Sequence, residues 1–261
     1  MKPKALILQA HGTNRDYDVA EALTLAGADA ECVPLNALRT GKKRFVDYQM
    51  LVLPGGFSYA DSLGAGKLLA IDLNAYFVEE IHEFVRSGKP AIGICNGFQA
   101  LIKSGVLPFD LNAKESDATL TFNESGHFEC RWVTLKPVSQ KCIWTRDLEE
   151  LLECPVAHGE GNFQVNEFFP LSSFLENEQI ALTYTHVDGS PARGEYPFNP
   201  NGSFQDIAGI CNPQGNVLGL MPHPENHIHP FQHPNWTRGI SRNCGLALFE
   251  NGAKYAKDMS N

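Results

Sequence analysis

The chain has 261 residues, 43% hydrophobic and 20% charged, with a formal net charge of −9. That balance is enough for one large α/β domain or two small ones with a substantial core, and it excludes the basic stripe of a nucleic-acid binder. No run of about eighteen apolar residues is present to cross a membrane, and the apolar start "MKPKALILQA" lacks a small-residue cleavage site, so a first strand is expected rather than a signal peptide.

The first hundred residues alternate between two periodicities. "KALILQA" (4–10) reads as a buried strand, "RDYDVAEALTLAGA" (15–28) as a helix closed at Gly27, and "DAECVPL" (29–35) as a second strand. "QMLVLPGG" (49–56) is a third strand, stopped by Pro54 and two glycines. Leu69, Leu73, Phe77, Ile81, Phe84 and Val85 recur every three or four residues and predict one amphipathic helix over 66–87, ended by Gly88. "PAIGI" (90–94) is the fourth strand. Short apolar strands alternating with helices predict a parallel sheet covered on both faces. In such sheets the chemistry lies in loops beyond the carboxyl ends of strands. "HGTN" (11–14), Gly55–Gly56 and Cys95 all fall there.

The second half changes character. "HFECRWVTL" (127–135), "QIALTYTH" (179–186), "DIAGICN" (206–212) and "NVLGLM" (216–221) read as strands, the last two joined by the turn "NPQGN". Residues 170–179 and 242–257 read as helical, and 187–205, rich in Gly and Pro but holding Tyr196, Phe198 and Phe204, as an ordered surface loop. No repeat or linker divides the chain. The expectation is a single α/β domain over 1–261: a mostly parallel central sheet flanked by helices, with antiparallel strands added in the second half. Residues 226–261 would form a loop and helix extension. Seven cysteines, with an odd count and no paired spacing, point to free thiols in a reducing cytoplasm, most of them small buried hydrophobes.

Cys95 departs from that background. G-x-C-x-G (Gly93, Cys95, Gly97) directly after a strand and before a helix has the shape of a nucleophile elbow, in which glycines permit the sharp turn and the close approach of neighbouring backbone. The free N–H groups and positive end of the helix starting near Asn96 favour a thiolate. A thiolate needs a base that later acts as an acid, and a group to hold it. His223 in "GLMPHPENH" is held between Pro222 and Pro224, so it loses little freedom in presenting its ring. Glu225, two residues on in a segment expected to be extended, would project to the same side. The N–H groups of Asn96 and Gly56 are natural donors to an oxyanion.

These stretches, with "GTN" (12–14), "LPGGFSYAD" (53–61), "GICNGFQAL" (93–101), "PVAHGEG" (155–161) and "NPNGSFQDIAGICNPQGNVLGLMPHPE" (199–225), resemble the class I glutamine amidotransferases. They are most similar to the branch formed by the glutaminase subunits of phosphoribosylformylglycinamidine synthase in purine biosynthesis. The resemblance implies Cys95 as nucleophile with His223 and Glu225 completing the triad, and Gly56 and Asn96 holding the oxyanion. Gly55, Gln99, Glu160 and Gly161 would grip the substrate glutamine. It also implies a separate synthetase subunit that binds ATP, magnesium and formylglycinamide ribonucleotide, and leaves room for a small third subunit. The family pattern has Gly where Ala60 stands and Arg where Asn226 stands, which bears on docking more than on chemistry.

Other readings have their own signals. His223, His227, His229 and His233 raise a metal site, but Pro224, Pro230 and Pro234 prevent the helix that histidines four apart would share, so no metal is expected and solvated or partner-facing loop histidines are. Each Gly-Lys pair fails as a P-loop: Gly66–Lys67 has Asp61 where glycine is required and is followed by Leu68. With no cofactor or nucleotide expected on this chain, it can supply only ammonia. A free-standing cysteine γ-glutamyl hydrolase would hydrolyse glutamine steadily without a partner. A non-catalytic binding relative would tolerate Cys95→Ala.

Overall fold

The computed structural model describes residues 1–108, 118–239 and 245–259. Cys244 and the first residues of the helix predicted over 242–257 lie outside the described residues. From the amino terminus, β1 (Lys4–Gln9) leads through α1 (Asp16–Leu25) to β2 (Asp29–Pro34), and a short α2 (Leu35–Arg39) precedes β3 (Met50–Leu53). Then come α3 (Lys67–Tyr76), α4 (Val78–Arg86), β4 (Ala91–Ile94) and α5 (Asn96–Lys103). The second half holds β5 (Ala118–Thr121), β6 (Glu129–Pro137), β7 (Leu152–His158), β8 (Asn162–Val165), α6 (Leu171–Glu176), β9 (Ile180–Thr185), β10 (Ile207–Cys211), β11 (Val217–Leu220) and α7 (Leu246–Met259). Among the described residues, no helix is long and apolar enough to cross a membrane.

Nine strands form one sheet in the order β2-β1-β3-β4-β11-β10-β9-β6-β7, with β5 and β8 paired separately. Pairings from β2 through β11 are parallel, and those from β11 to β7 antiparallel, as the sequence predicts for its two halves. Every residue of β3, β4 and β11 is buried, as expected of central parallel strands covered on both faces. The β1–α1–β2 and β3–α3/α4–β4 crossovers step in opposite directions along the sheet, so right-handed connection puts their helices on opposite faces. The loops after β1, β3 and β4 converge near this reversal of direction, where α/β sheets hold their ligands.

The predicted helix over 66–87 is two helices, broken at Phe77 (φ −137, ψ 13). The apolar period runs on across the break because Phe77 is itself buried and packs its ring 5.6 Å from that of Phe45. The loop at 187–205 is fixed by Asp206, whose carboxylate accepts the N–H groups of Arg193 (2.6 Å) and Gly194 (2.7 Å). The described part of 226–261 is packed into the main core through Ile228, Leu248, Phe249, Ala253 and Ala256, with α7 against α1 and β3.

Candidate active site

Cys95 stands between β4 and α5 with φ 50 and ψ −105, a backbone conformation L-residues rarely adopt. The turn is held on both sides: the Cys95 N–H donates to the Leu220 carbonyl at 2.8 Å, and its own carbonyl accepts the Gln99 N–H at 3.0 Å. The two glycines of the motif permit close packing. A Cβ on Gly97 would lie 1.9 Å from the Leu53 oxygen, and one on Gly93 2.8 Å from the Gly97 oxygen. α5 can therefore settle onto β3 with its first turn at the sulfur. No hydrogen bond within the described residues takes up the backbone N–H of Asn96 or of Gly56, whose φ is +142.

His223 (φ −105, ψ 84) is held off helical geometry, but the segment after it is a 3-10 turn over Pro224–Asn226 rather than an extended strand. The turn serves the expected purpose by another route: the His223 Nδ1–H donates to Glu225 Oε1 at 2.7 Å. Glu225 is fully buried and, among the described residues, has no positive partner besides that ring. Burial opposes the charged imidazole, but the Glu225 carboxylate and the adjacent Cys95 thiol outweigh it, and the His223 pKa is raised to about 10. Among the described residues, the remaining ring nitrogen, Nε2, has no oxygen or nitrogen partner and is left to the Cys95 sulfur.

One strand aligns these groups. The carbonyls of β7 at 153, 155 and 157 point away from β6, as alternate carbonyls of an edge strand do. The first accepts from His227 Nδ1, the second accepts the His223 N–H at 2.8 Å, and the third lies 3.8 Å from the Cys95 sulfur. Elbow and base, 128 positions apart, are thus set against the same edge. The histidines that follow His223 differ from expectation. His227 and His233 are buried around Trp132, with ring centroids 5.1 and 4.7 Å from it, and only His229 is partly solvated. Their hydrophobic setting comes from β6 and β7, which the proline pattern did not reveal. Among the described residues no three His, Cys, Asp or Glu gather as a metal ion would require.

A pocket of about 150 Å³ opens on the sulfur, walled by Gly56, Asp61, Cys95, Gln99, His158 and Glu160, with Phe57, Phe122 and Phe128 at its sides. It is smaller than the roughly 300–1,000 Å³ of drug-sized sites, and so fits a small polar ligand. Gln99 donates to the Glu160 carbonyl (2.7 Å) and accepts from Asn96 Nδ2 (3.1 Å), which also donates to Asp61 (3.0 Å). The Glu160 carboxylate accepts the Ala65 N–H and lies 3.5 Å from Lys103 Nζ. Burial and the Glu160 charge raise the pKa of Asp61, against the pull of its Asn96 hydrogen bond. Gly55 backs His223 instead of facing the pocket: a Cβ there would come 2.7 Å from the imidazole Cε1. Gly161 likewise backs His158, 2.1 Å from where its Cβ would stand. Asp61 and His158 belong to the pocket although sequence reasoning did not single them out. Both lie inside quoted motifs, which was the available signal.

A model of the CobB/CobQ-like glutamine amidotransferase domain matches residues 2–256. The chain is 56% identical to the phosphoribosylformylglycinamidine synthase subunit PurQ of Treponema denticola, over 87% of this chain and 89% of that protein. It is 37% identical to the subunit of the same name from Methanococcus maripaludis, over 97% of each. The structure of PurLQS from Thermotoga maritima contains a chain that superposes with a TM-score of 0.74 at 31% identity, covering 98% of this chain and 99% of that one.

Proposed function

Because this chain belongs to the PurQ family of glutamine amidotransferases, we propose that it is the glutaminase subunit of a phosphoribosylformylglycinamidine synthase in purine biosynthesis. In this reading it hydrolyses glutamine and passes the ammonia to a separate synthetase subunit. That subunit binds ATP, magnesium and formylglycinamide ribonucleotide, and a small third subunit completes the assembly. The Thermotoga maritima PurLQS likeness supports the synthetase partner. So does the apolar collar at the pocket mouth, where Phe57, Phe122 and Phe128 are 45%, 71% and 52% exposed. The reading includes the cytoplasmic setting and the absence of a cofactor on this chain expected from the sequence.

The observation that carries it is the strained Cys95 turn placed against a buried imidazole whose far nitrogen is fixed by Glu225. The Cys95 thiolate attacks the side-chain carboxamide carbon, and the oxyanion rests on the N–H groups of Gly56 and Asn96. The C–N bond breaks as protonated His223 gives its Nε2 proton to the departing nitrogen, releasing ammonia. Neutral His223 then takes a proton from water, hydroxide attacks the thioester, and the C–S bond breaks to give glutamate and the thiolate. Glu225 stabilises the imidazolium that forms between steps. In the assembled complex, Cys95→Ala should lower glutamine-dependent synthesis by at least about a thousandfold, the order of loss seen when a catalytic nucleophile is removed, and leave synthesis from added ammonia intact. Loss of both activities would assign Cys95 a structural role.

A further inference from the structure

His158, at the end of β7, is a buried histidine that the mechanism above does not use. Its tautomer follows from its neighbours. Asn123 Nδ2 donates to two carbonyls, those of His127 (2.9 Å) and His158 (2.8 Å), which fixes the amide with its oxygen on the other side. That oxygen already accepts the Gly161 N–H at 3.0 Å and lies 3.1 Å from His158 Nδ1. An oxygen can only accept, so Nδ1 carries the hydrogen and Nε2 presents a lone pair. Burial first, and the charge of His223 second, push the His158 pKa down to about 3, so the ring stays neutral. Nε2 is shut off from bulk solvent and has no partner among the described residues. A bare buried acceptor is costly unless a donor is delivered to it, and here the ring forms part of the pocket wall.

We infer that His158 Nε2 accepts an N–H of the substrate's carboxamide nitrogen and thereby selects glutamine over glutamate. Location favours this end of the substrate. His158 directly follows Ala157, whose carbonyl meets the Cys95 sulfur, whereas the carboxylates of Asp61 and Glu160 stand at the Ala65–Lys103 end, where a positive α-ammonium is better placed. A neutral amide N–H suits a neutral acceptor. The carboxylate of glutamate offers only oxygen lone pairs there, so the product is repelled as the amide was held. Gly161 is required beside it, because any side chain would enter the imidazole.

The inference rests on the glutaminase reading, and the test separates the two. In the complex with its synthetase, kcat/KM is measured for glutamine and for the γ-methyl ester of glutamate, which has the same reacting carbonyl but no N–H. His158→Phe should lower the glutamine value roughly tenfold or more relative to the ester, the range expected when a buried hydrogen bond is left unmet. His158→Gln, which restores an acceptor, should recover much of the ratio. Equal losses on amide and ester would make His158 merely structural, and a wild-type complex inactive on glutamine would overturn the parent reading as well. A measurement free of variants at 158 uses Cys95→Ala: added glutamine should shift the His158 Nε2 nitrogen resonance and glutamate should not. A resonance unmoved by saturating glutamine would overturn the inference.

Discussion

Two buried histidines near Cys95 have opposite protonation, set by different causes. His223 is held charged by Glu225, and His158 is held neutral by burial and the nearby charge. Their effects on stability have opposite signs. The folded pKa of His223 is above its ordinary value, so its contribution is complete below about pH 6.5 and is lost as pH rises toward 10. That of His158 is below its ordinary value, so the folded state loses stability as pH falls from about 6.5 toward 3, where the unfolded ring binds a proton the folded one refuses. Denaturant unfolding of wild type and His158→Gln across that acid range should diverge by up to about 1.4 kcal/mol per pH unit, the variant showing the shallower decline. Parallel curves would show that His158 titrates normally in the fold. None of this is legible in "PVAHGEG", because an unpaired acceptor exists only once Asn123, Gly161 and the strand are assembled around it.

Elements whose reasons are local could be read in advance, and those whose reasons are distant could not. β1, β3, β4 and the Cys95 elbow follow from short apolar runs ended by glycine and proline. β7 is legible only as a motif, since "LECPVAH" is interrupted by Glu153 and Pro155; its burial comes from β6 on one side and the segment around His223 on the other. The segment between β3 and α3 shows a similar limit. Tyr59, Ala60, Asp61 and Leu63 all have φ between 53 and 63. Ala60 is exposed there, with φ 54, in the position where the resembling family has glycine. A left-handed L-residue costs about 1–2 kcal/mol, and the greater freedom of glycine in the unfolded chain costs about 0.4–1. Relief therefore wins: Ala60→Gly should stabilise by about 0.5–1 kcal/mol, or roughly 1–4 °C in Tm for a chain of this size. A fall in Tm would show that the turn is not strained at this residue.

At the scale of the molecule, the pocket is assembled from the parallel half, which supplies Gly56 and Cys95, and the antiparallel half, which supplies His158 and Glu160. The sequence allowed the first half to be placed, while the approach of β7 to the segments that follow β4 and β11 depends on nonlocal pairing it does not display. The aromatic collar is the corresponding outward feature. Phe122→Asp and Phe128→Asp should each weaken association with the synthetase about tenfold or more if these rings are central to the contact. Their stability should stay within about 0.5 kcal/mol, as for exposed positions. Unchanged affinity by titration calorimetry would move the docking surface elsewhere. β7 ends the nine-stranded sheet, and its outward carbonyls at 153, 155 and 157 would otherwise offer a template for another chain. The 223–227 segment covers the first two and the Cys95 turn the third, so a chain that loosens either segment becomes adhesive, and selection against aggregation guards these same contacts.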